Sequence, residues 1–302
     1  MTHQQQPSAA PFPFYRTAEQ RMPAHWQRQR TTASGSAQHY YRTGSGDKPP
    51  LLLLHGLMTD GLSWLRVAAA LEHEYDIIMP DARGHGRSDP PGGSFTPELL
   101  TSDVIALIDA LGLQQPVLLG HSMGAAIAAQ AAATMPQPPR AVVLEDPPVR
   151  AMPFQQMMEN PQYQAWYQSW LAWMQSLQTQ INIATSFTFL PPAARGWSED
   201  DLVSLLDGMS RFNLDVFRLS DPTAFATTWQ THLAHITCPI LLMTGSPAHG
   251  GLLAPGDIEQ LAAHWQRGEH VLFAEASHFV NRDAFEQYIE VVRAFLQKHA
   301  AV

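Results

Sequence analysis

The chain of 302 residues contains a single cysteine, Cys238. One thiol cannot close a disulfide within the chain, and it excludes a cysteine-rich metal site. Charge is scarce: Asp, Glu, Lys and Arg together make up 15% of the residues, with a net charge of −9. A nucleic-acid surface needs clustered Lys and Arg, and so does a membrane contact held by basic charge; neither partner is expected. Long apolar runs are also missing. Stretches such as 51–54 and 125–133 fall far short of the roughly 20 residues that cross a bilayer. At the N-terminus no basic segment leads into an apolar run, so no secretory signal is read and a cytoplasmic location is expected. What is present, 45% hydrophobic residues, is enough for a full-sized core.

Residues 1–36 stand apart, rich in Gln, Pro, Ala and Ser, with Arg16, Arg21, Arg28 and Arg30 set against a lone Glu19. This composition reads as a loosely held N-terminal arm with one short helix about 19–30, pinned by Phe12, Phe14, Tyr15 and Trp26. A homo-oligomer joined through this arm is a further use for it. Beyond it, short apolar runs at 51–54, 75–79, 115–119 and 141–144 read as strands buried on both faces. They alternate with helices expected at 61–71, 96–111 and 125–133, the second opened by Thr96 and Pro97. The rhythm breaks at Pro147 and resumes with strands at 240–244 and 270–274 and helices at 256–265 and 284–297. The fold class is therefore α/β: an open, mostly parallel sheet covered by helices, with core segments 37–149 and 236–302. The intervening block, 150–235, reads as a helical cap. Trp166, Trp170 and Trp173 fall there at i, i+4 and i+7, with Tyr163, Tyr167, Met157, Met158 and Met174 nearby.

The strongest chemical signal is Gly120-His121-Ser122-Met123-Gly124, set between an apolar strand and an Ala-rich helix. A strand–turn–helix with small residues on both sides of a serine holds that serine in a strained turn. Its hydroxyl then projects at the sheet edge, beside a helix N-terminus that favours developing negative charge.

With these residues the chain resembles the α/β-hydrolase superfamily over about 38–302. His55-Gly56 follows the first buried strand, where that superfamily places an oxyanion loop. The resemblance implies that the backbone N–H groups of Leu57 and Met123 form the oxyanion hole, with His55 and Gly56 beside the substrate. The segment 81–88 matches D-x-R-G-x-G-x-S and is read as structural, His85 included. The resemblance puts the catalytic histidine after the last strand, which is His278 in Ala276-Ser277-His278-Phe279. Its acid is commonly found after the strand at 240–244, but the loop 245–251 carries no carboxylate. Some relatives, including haloalkane dehalogenases and zearalenone-type lactonases, use an acid one strand earlier. Asp146 is expected in that role, with Glu145 in reserve, since alternating side chains point only one of the two toward the histidine.

The expectation is a serine esterase or lactonase using Ser122, Asp146 and His278 through an acyl-enzyme, without cofactor or metal. The same set would also serve an amidase, a C–C bond hydrolase or a perhydrolase, and the missing acid after Thr244 leaves room for a ligand-binding protein on the same scaffold. Epoxide hydrolase and dehalogenase chemistry needs a carboxylate nucleophile, and position 122 is serine. His232 and His235 lack a nearby carboxylate or cysteine and read as surface residues. Arg150 and Arg195 bracket a long stretch of the cap without positive charge, so a polyanionic substrate is disfavoured. An apolar or aromatic small-molecule ester or lactone fits better, with Trp166 and Trp170 as substrate contacts.

Overall fold

The computed structural model describes residues 16–150 and 159–300. Phe12, Phe14, Tyr15, Met157 and Met158 lie outside the described residues. An eight-stranded sheet runs through the molecule in the order β1-β2-β4-β3-β5-β6-β7-β8. Its strands are β1 (Gln27–Ala33), β2 (Ser36–Arg42), β3 (Pro50–Leu54), β4 (Asp76–Pro80), β5 (Val117–His121), β6 (Val142–Glu145), β7 (Ile240–Gly245) and β8 (Gly268–Phe273). β1 with β2 and β2 with β4 pair antiparallel, and every other neighbouring pair is parallel.

The apolar runs are buried for the reason their composition suggests. β5, β6 and β7 lie in the middle of the sheet with helices over both faces, and every residue in them is buried. The helix Met123–Thr134 packs against β5 and β6, and against the helices Pro97–Ala110 and Pro222–His232. Its alanines let these neighbours approach closely. The helix Pro97–Ala110 starts with Thr96 accepting the Leu99 N–H at 3.3 Å and Pro97 in the first turn. The closing helix Phe285–His299 buries Tyr288, Ile289, Val292, Phe295 and Leu296 along one stripe.

Among the described residues between β6 and β7, helices run at Pro161–Leu177, Ile183–Ser186, Glu199–Ser210, Asp215–Leu219 and Pro222–His232. Helix Glu199–Ser210 packs on the core helix Leu65–Leu71, and Arg211 at its end pairs with the buried Asp60 of the core at 2.7 Å. Among the described residues, no helix is long and apolar enough to cross a membrane.

Residues 16–36 are not a loosely held arm. Only Ala18–Arg21 is helical there, and 27–33 form the edge strand β1. β1 and β2 are joined by Ser34-Gly35, with φ of 52° and 72°. Left-handed values at both residues make the two-residue hairpin turn whose twist matches the strands. Trp26 is buried and donates its indole N–H to Glu72 at 2.6 Å. Glu19 accepts from Tyr41 at 3.0 Å and from Arg87. The strand escaped notice in the sequence because an edge exposes both of its faces. Gln27-Arg28-Gln29-Arg30-Thr31-Thr32 needs no apolar alternation.

Candidate active site

Ser122 sits between β5 and the helix Met123–Thr134 with φ 54° and ψ −118°, a conformation that L-residues adopt only under constraint. The constraint is close backbone packing. A Cβ on Gly120 would lie 2.2 Å from the Gly124 carbonyl oxygen, and one on Gly124 would lie 2.1 Å from that of Leu54. Only glycine fits either place. The Ser122 N–H donates to the Glu145 carbonyl at 2.9 Å, which ties the turn to the end of β6.

At that strand end the two candidate acids part. Asp146 has φ 42°, so its side chain swings away from the strand alternation. Its Oδ2 accepts from His278 Nδ1 at 2.6 Å and from the Leu252 N–H at 2.9 Å, and its Oδ1 accepts from the Gly245 N–H at 3.3 Å. The last residue of β7 and the carboxylate-free loop that follows it thus supply one backbone donor each to the carboxylate just past the neighbouring strand β6. Glu145 is fully buried on the other side, with Oε1 accepting from the Asn281 N–H at 2.8 Å. Burial pushes its carboxyl up to about 8, and the adjacent Asp146 charge adds to the shift.

His278 is held from several directions. Its carbonyl accepts from His121 Nε2 at 2.9 Å, and the two imidazoles lie with ring centres 4.6 Å apart. Burial, then the neighbouring His278, pushes His121 well below the ordinary histidine value, so its imidazole is neutral. Ser277, just before His278, donates its backbone N–H to Asp283 at 2.7 Å. Among the described residues the Ser122 hydroxyl has no hydrogen-bond partner within 3.5 Å.

Gly56 lies against the serine: a Cβ there would be 3.4 Å from Ser122 Cβ and 2.8 Å from His121 Nδ1. Leu57 follows it. Met123 is the first residue of its helix, where the N–H has no intrahelical acceptor. His55 does not offer its ring to a ligand. It is buried, with Nδ1 donating to the Gly56 carbonyl at 2.8 Å and Nε2 accepting from the Ala82 N–H at 2.9 Å. It braces the loop instead. His85 is also buried, accepting from the Met58 N–H at 3.3 Å. Burial and then the nearby His55 push it down to about 3, so it is a neutral brace. Asp81 receives His39 Nδ1 at 2.9 Å and the N–H groups of Gly61 and Arg87, each at 2.8 Å. Arg83 forks onto Asp103 at 2.5 and 2.6 Å. A shallow cavity beneath this loop is lined by His55, Asp81, Arg83, Met123 and Gly124, among others, but not by Ser122 or His278.

Trp166 and Trp170 sit on the first cap helix, Pro161–Leu177. Trp166 is 47% exposed and forms a row of rings with Tyr163 at 5.6 Å and Trp170 at 6.3 Å. Trp170 packs edge-on against Phe217 at 5.6 Å. No described ring contact or hydrogen bond links Trp166 or Trp170 to Ser122 or His278. The rings of His232 and His235 are 6.4 Å apart, and no group of metal-binding side chains occurs among the described residues. Sequence reading missed Asp283, Glu145 as a brace, and the donors from Gly245 and Leu252. The glycines at 245 and 251 were the available signal. A Cβ at either would strike backbone, at 1.9 Å from the Ser277 carbonyl oxygen and 2.5 Å from Gly245 respectively.

The family model for the alpha/beta hydrolase fold matches residues 49–284. N-formylmaleamate deformylase of Pseudomonas putida is 28% identical over 267 residues, which cover 88% of this chain and 94% of that protein. Among solved structures, the N-formylmaleamic acid deformylase of Pseudomonas putida S16 superposes with a TM-score of 0.73. It is 24% identical, over 88% of this chain and all of that one. The enol-lactonase of Burkholderia xenovorans LB400 gives 0.68 at 24% identity, over 89% of this chain and all of that one.

Proposed function

Given that the chain belongs to the α/β-hydrolase fold family, we propose that it is a cofactor-free serine hydrolase of small carboxylic esters or lactones. The observation that carries this reading is the 2.6 Å contact of Asp146 with His278 at the sheet edge where Ser122 is held at φ 54°. His278 Nε2 takes the Ser122 proton as Oγ attacks the substrate carbonyl carbon. The charge that develops on the carbonyl oxygen rests on the Leu57 and Met123 N–H groups. His278 then gives the proton to the leaving alkoxide, and an acyl group remains on Ser122. Water, deprotonated by the same imidazole, attacks the acyl carbon and frees the acid, returning the proton to Ser122. Asp146 keeps the Nδ1 proton in place and stabilises the imidazolium.

The near full-length likeness to a deformylase favours a second bond for the same residues, the C–N bond of an N-formyl amide. The formyl group would pass to Ser122 and the nitrogen would leave with the proton from His278.

Hydrolysis of p-nitrophenyl esters from acetate to octanoate, and of p-nitroformanilide, by wild type and Ser122→Ala tests both readings. Turnover of esters by wild type alone supports the first, and turnover of the formanilide alone supports the second. Wild type no faster than Ser122→Ala on every substrate would sink both.

A further inference from the structure

One carboxylate joins the cap to the loop that carries His278. Asp283 Oδ2 accepts both the backbone N–H of Ser277, at 2.7 Å, and its hydroxyl. Asp283 Oδ1 accepts the indole N–H of Trp197 at 2.6 Å. Trp197 follows the short turn Pro192–Gly196 and belongs to the helical block between β6 and β7. The neighbouring contacts run the same way. Phe279 packs edge-on against Trp197 at 5.2 Å and against His278 at 5.3 Å. The Arg282 guanidinium lies over the Trp197 ring at 5.1 Å and donates to the Asp201 carbonyl, in helix Glu199–Ser210, at 2.7 Å.

We propose that Asp283 is a positioning residue through which the seating of the cap sets the alignment of His278. This rests on the reading of Ser122, Asp146 and His278 as the reacting set. With Trp197 in place, Asp283 is clamped at both oxygens and fixes Ser277, and with it the imidazole between Asp146 and Ser122. When the cap shifts, Oδ1 loses its donor. A carboxylate in that position recruits another donor, and the grip on Ser277 loosens. Alignment of the base is then highest when the cap is closed over a substrate, which couples substrate enclosure to proton transfer.

The test compares Trp197→Phe with Trp173→Phe. Trp173 also spends a buried indole N–H, on Ser186 Oγ at 3.3 Å, but both partners lie within the cap. Trp197→Phe keeps a ring against Phe279 and removes only the donor; Asp283→Asn keeps the side-chain shape and spoils the pair of acceptors. The expected result is about a tenfold fall in kcat for Trp197→Phe and Asp283→Asn, with KM within about twofold, and kcat near wild type for Trp173→Phe. Adding Ser277→Ala to Trp197→Phe costs less than the product of the single losses, because both act through one carboxylate. A second readout does not depend on which bond is cleaved: the proton resonance of His278 Nδ1–H, assigned by its loss in His278→Gln. It broadens or moves in Trp197→Phe and stays put in Trp173→Phe. If wild type turns over no offered substrate, the hydrolase reading has failed and this resonance alone decides the coupling. A Trp197→Phe protein with the wild-type resonance overturns the proposal.

Discussion

Two carboxylates stand side by side at the end of β6, and their surroundings give them different duties. Asp146 faces His278 and two backbone N–H groups, so its negative charge is solvated by the protein. Asp146→Asn should lower kcat by ~10³–10⁴-fold, because the amide favours the wrong imidazole tautomer. Glu145→Gln should change kcat no more than a few-fold in the same assay. Reversed losses would overturn the assignment. Glu145 has a second, pH-dependent consequence. Its ordinary value is 4.5 and burial pushes it up to about 8, so the folded protein holds this proton across a range where the unfolded chain has lost it. The associated stability is complete below 4.5 and is lost as pH rises to about 8, with a slope of at most about 1.4 kcal/mol per pH unit. Glutamine does not titrate. The melting temperature of Glu145→Gln relative to wild type should therefore climb between pH 5 and pH 8 and level off above. A constant difference across that range would mean that Glu145 is already ionised in the folded state.

Among the elements, two short turns do the positioning, and each depends on backbone lying where a side chain would otherwise be. The serine turn needs glycine at 120 and 124, and the loop after β7 needs it at 245 and 251. At Gly245 an added methyl would meet the Ser277 carbonyl oxygen at 1.9 Å, next to His278. Gly245→Ala must push the histidine loop by about an ångström, a displacement worth roughly 10²-fold in rate when it misaligns a proton-transfer group. Gly196→Ala is the matching control, since its added methyl meets nothing within 4 Å. Equal kcat values for the two variants would show that the histidine loop tolerates the shift. The row of Tyr163, Trp166 and Trp170, of which Trp166 is exposed and the other two half-buried, reads differently at this scale. Spacing at i, i+3 and i+7 places the rings on one face, but the helix that carries them is largely exposed along its first half. A stripe of aromatic residues names a face, and only packing says what it faces.

The molecule as a whole is tied together by its first described residues. The Ala18 N–H reaches Asp207 of helix Glu199–Ser210 at 2.5 Å, and Arg21 pairs with Asp200 at 3.0 Å and with Glu199. Glu19, Trp26 and β1 attach the same stretch to the core. Core and block between β6 and β7 are thus bridged both by this segment and by Arg211 on Asp60. Starting the chain at Ala37 would strip the cover from Tyr40 and Tyr41, expose β2 as an edge and cut the bridge. Thermal unfolding of that truncation should show a midpoint lower by roughly 10 °C, the scale of several kcal/mol in a protein of this size. An unchanged midpoint would restore the picture of a dispensable arm.

The parallel sheet and the place of Ser122 were legible in the chain alone, and both are local matters: buried strands need unbroken apolar runs, and a tight turn needs glycine. His278 was named through the family resemblance, which implies a histidine after the last strand. The choice between Asp146 and Glu145 was not local. It turns on a left-handed backbone at 146 and on donors from Gly245 and Leu252, roughly a hundred residues along the chain. In the sequence His55 resembles a ligand contact, but both of its nitrogens are engaged by backbone groups, one of them at Ala82. β1 carried no apolar signal because an edge strand need not bury either face. Hydrogen-bond partners distant in sequence become neighbours only when the sheet assembles, and at this site they decide which of two adjacent carboxylates meets the histidine.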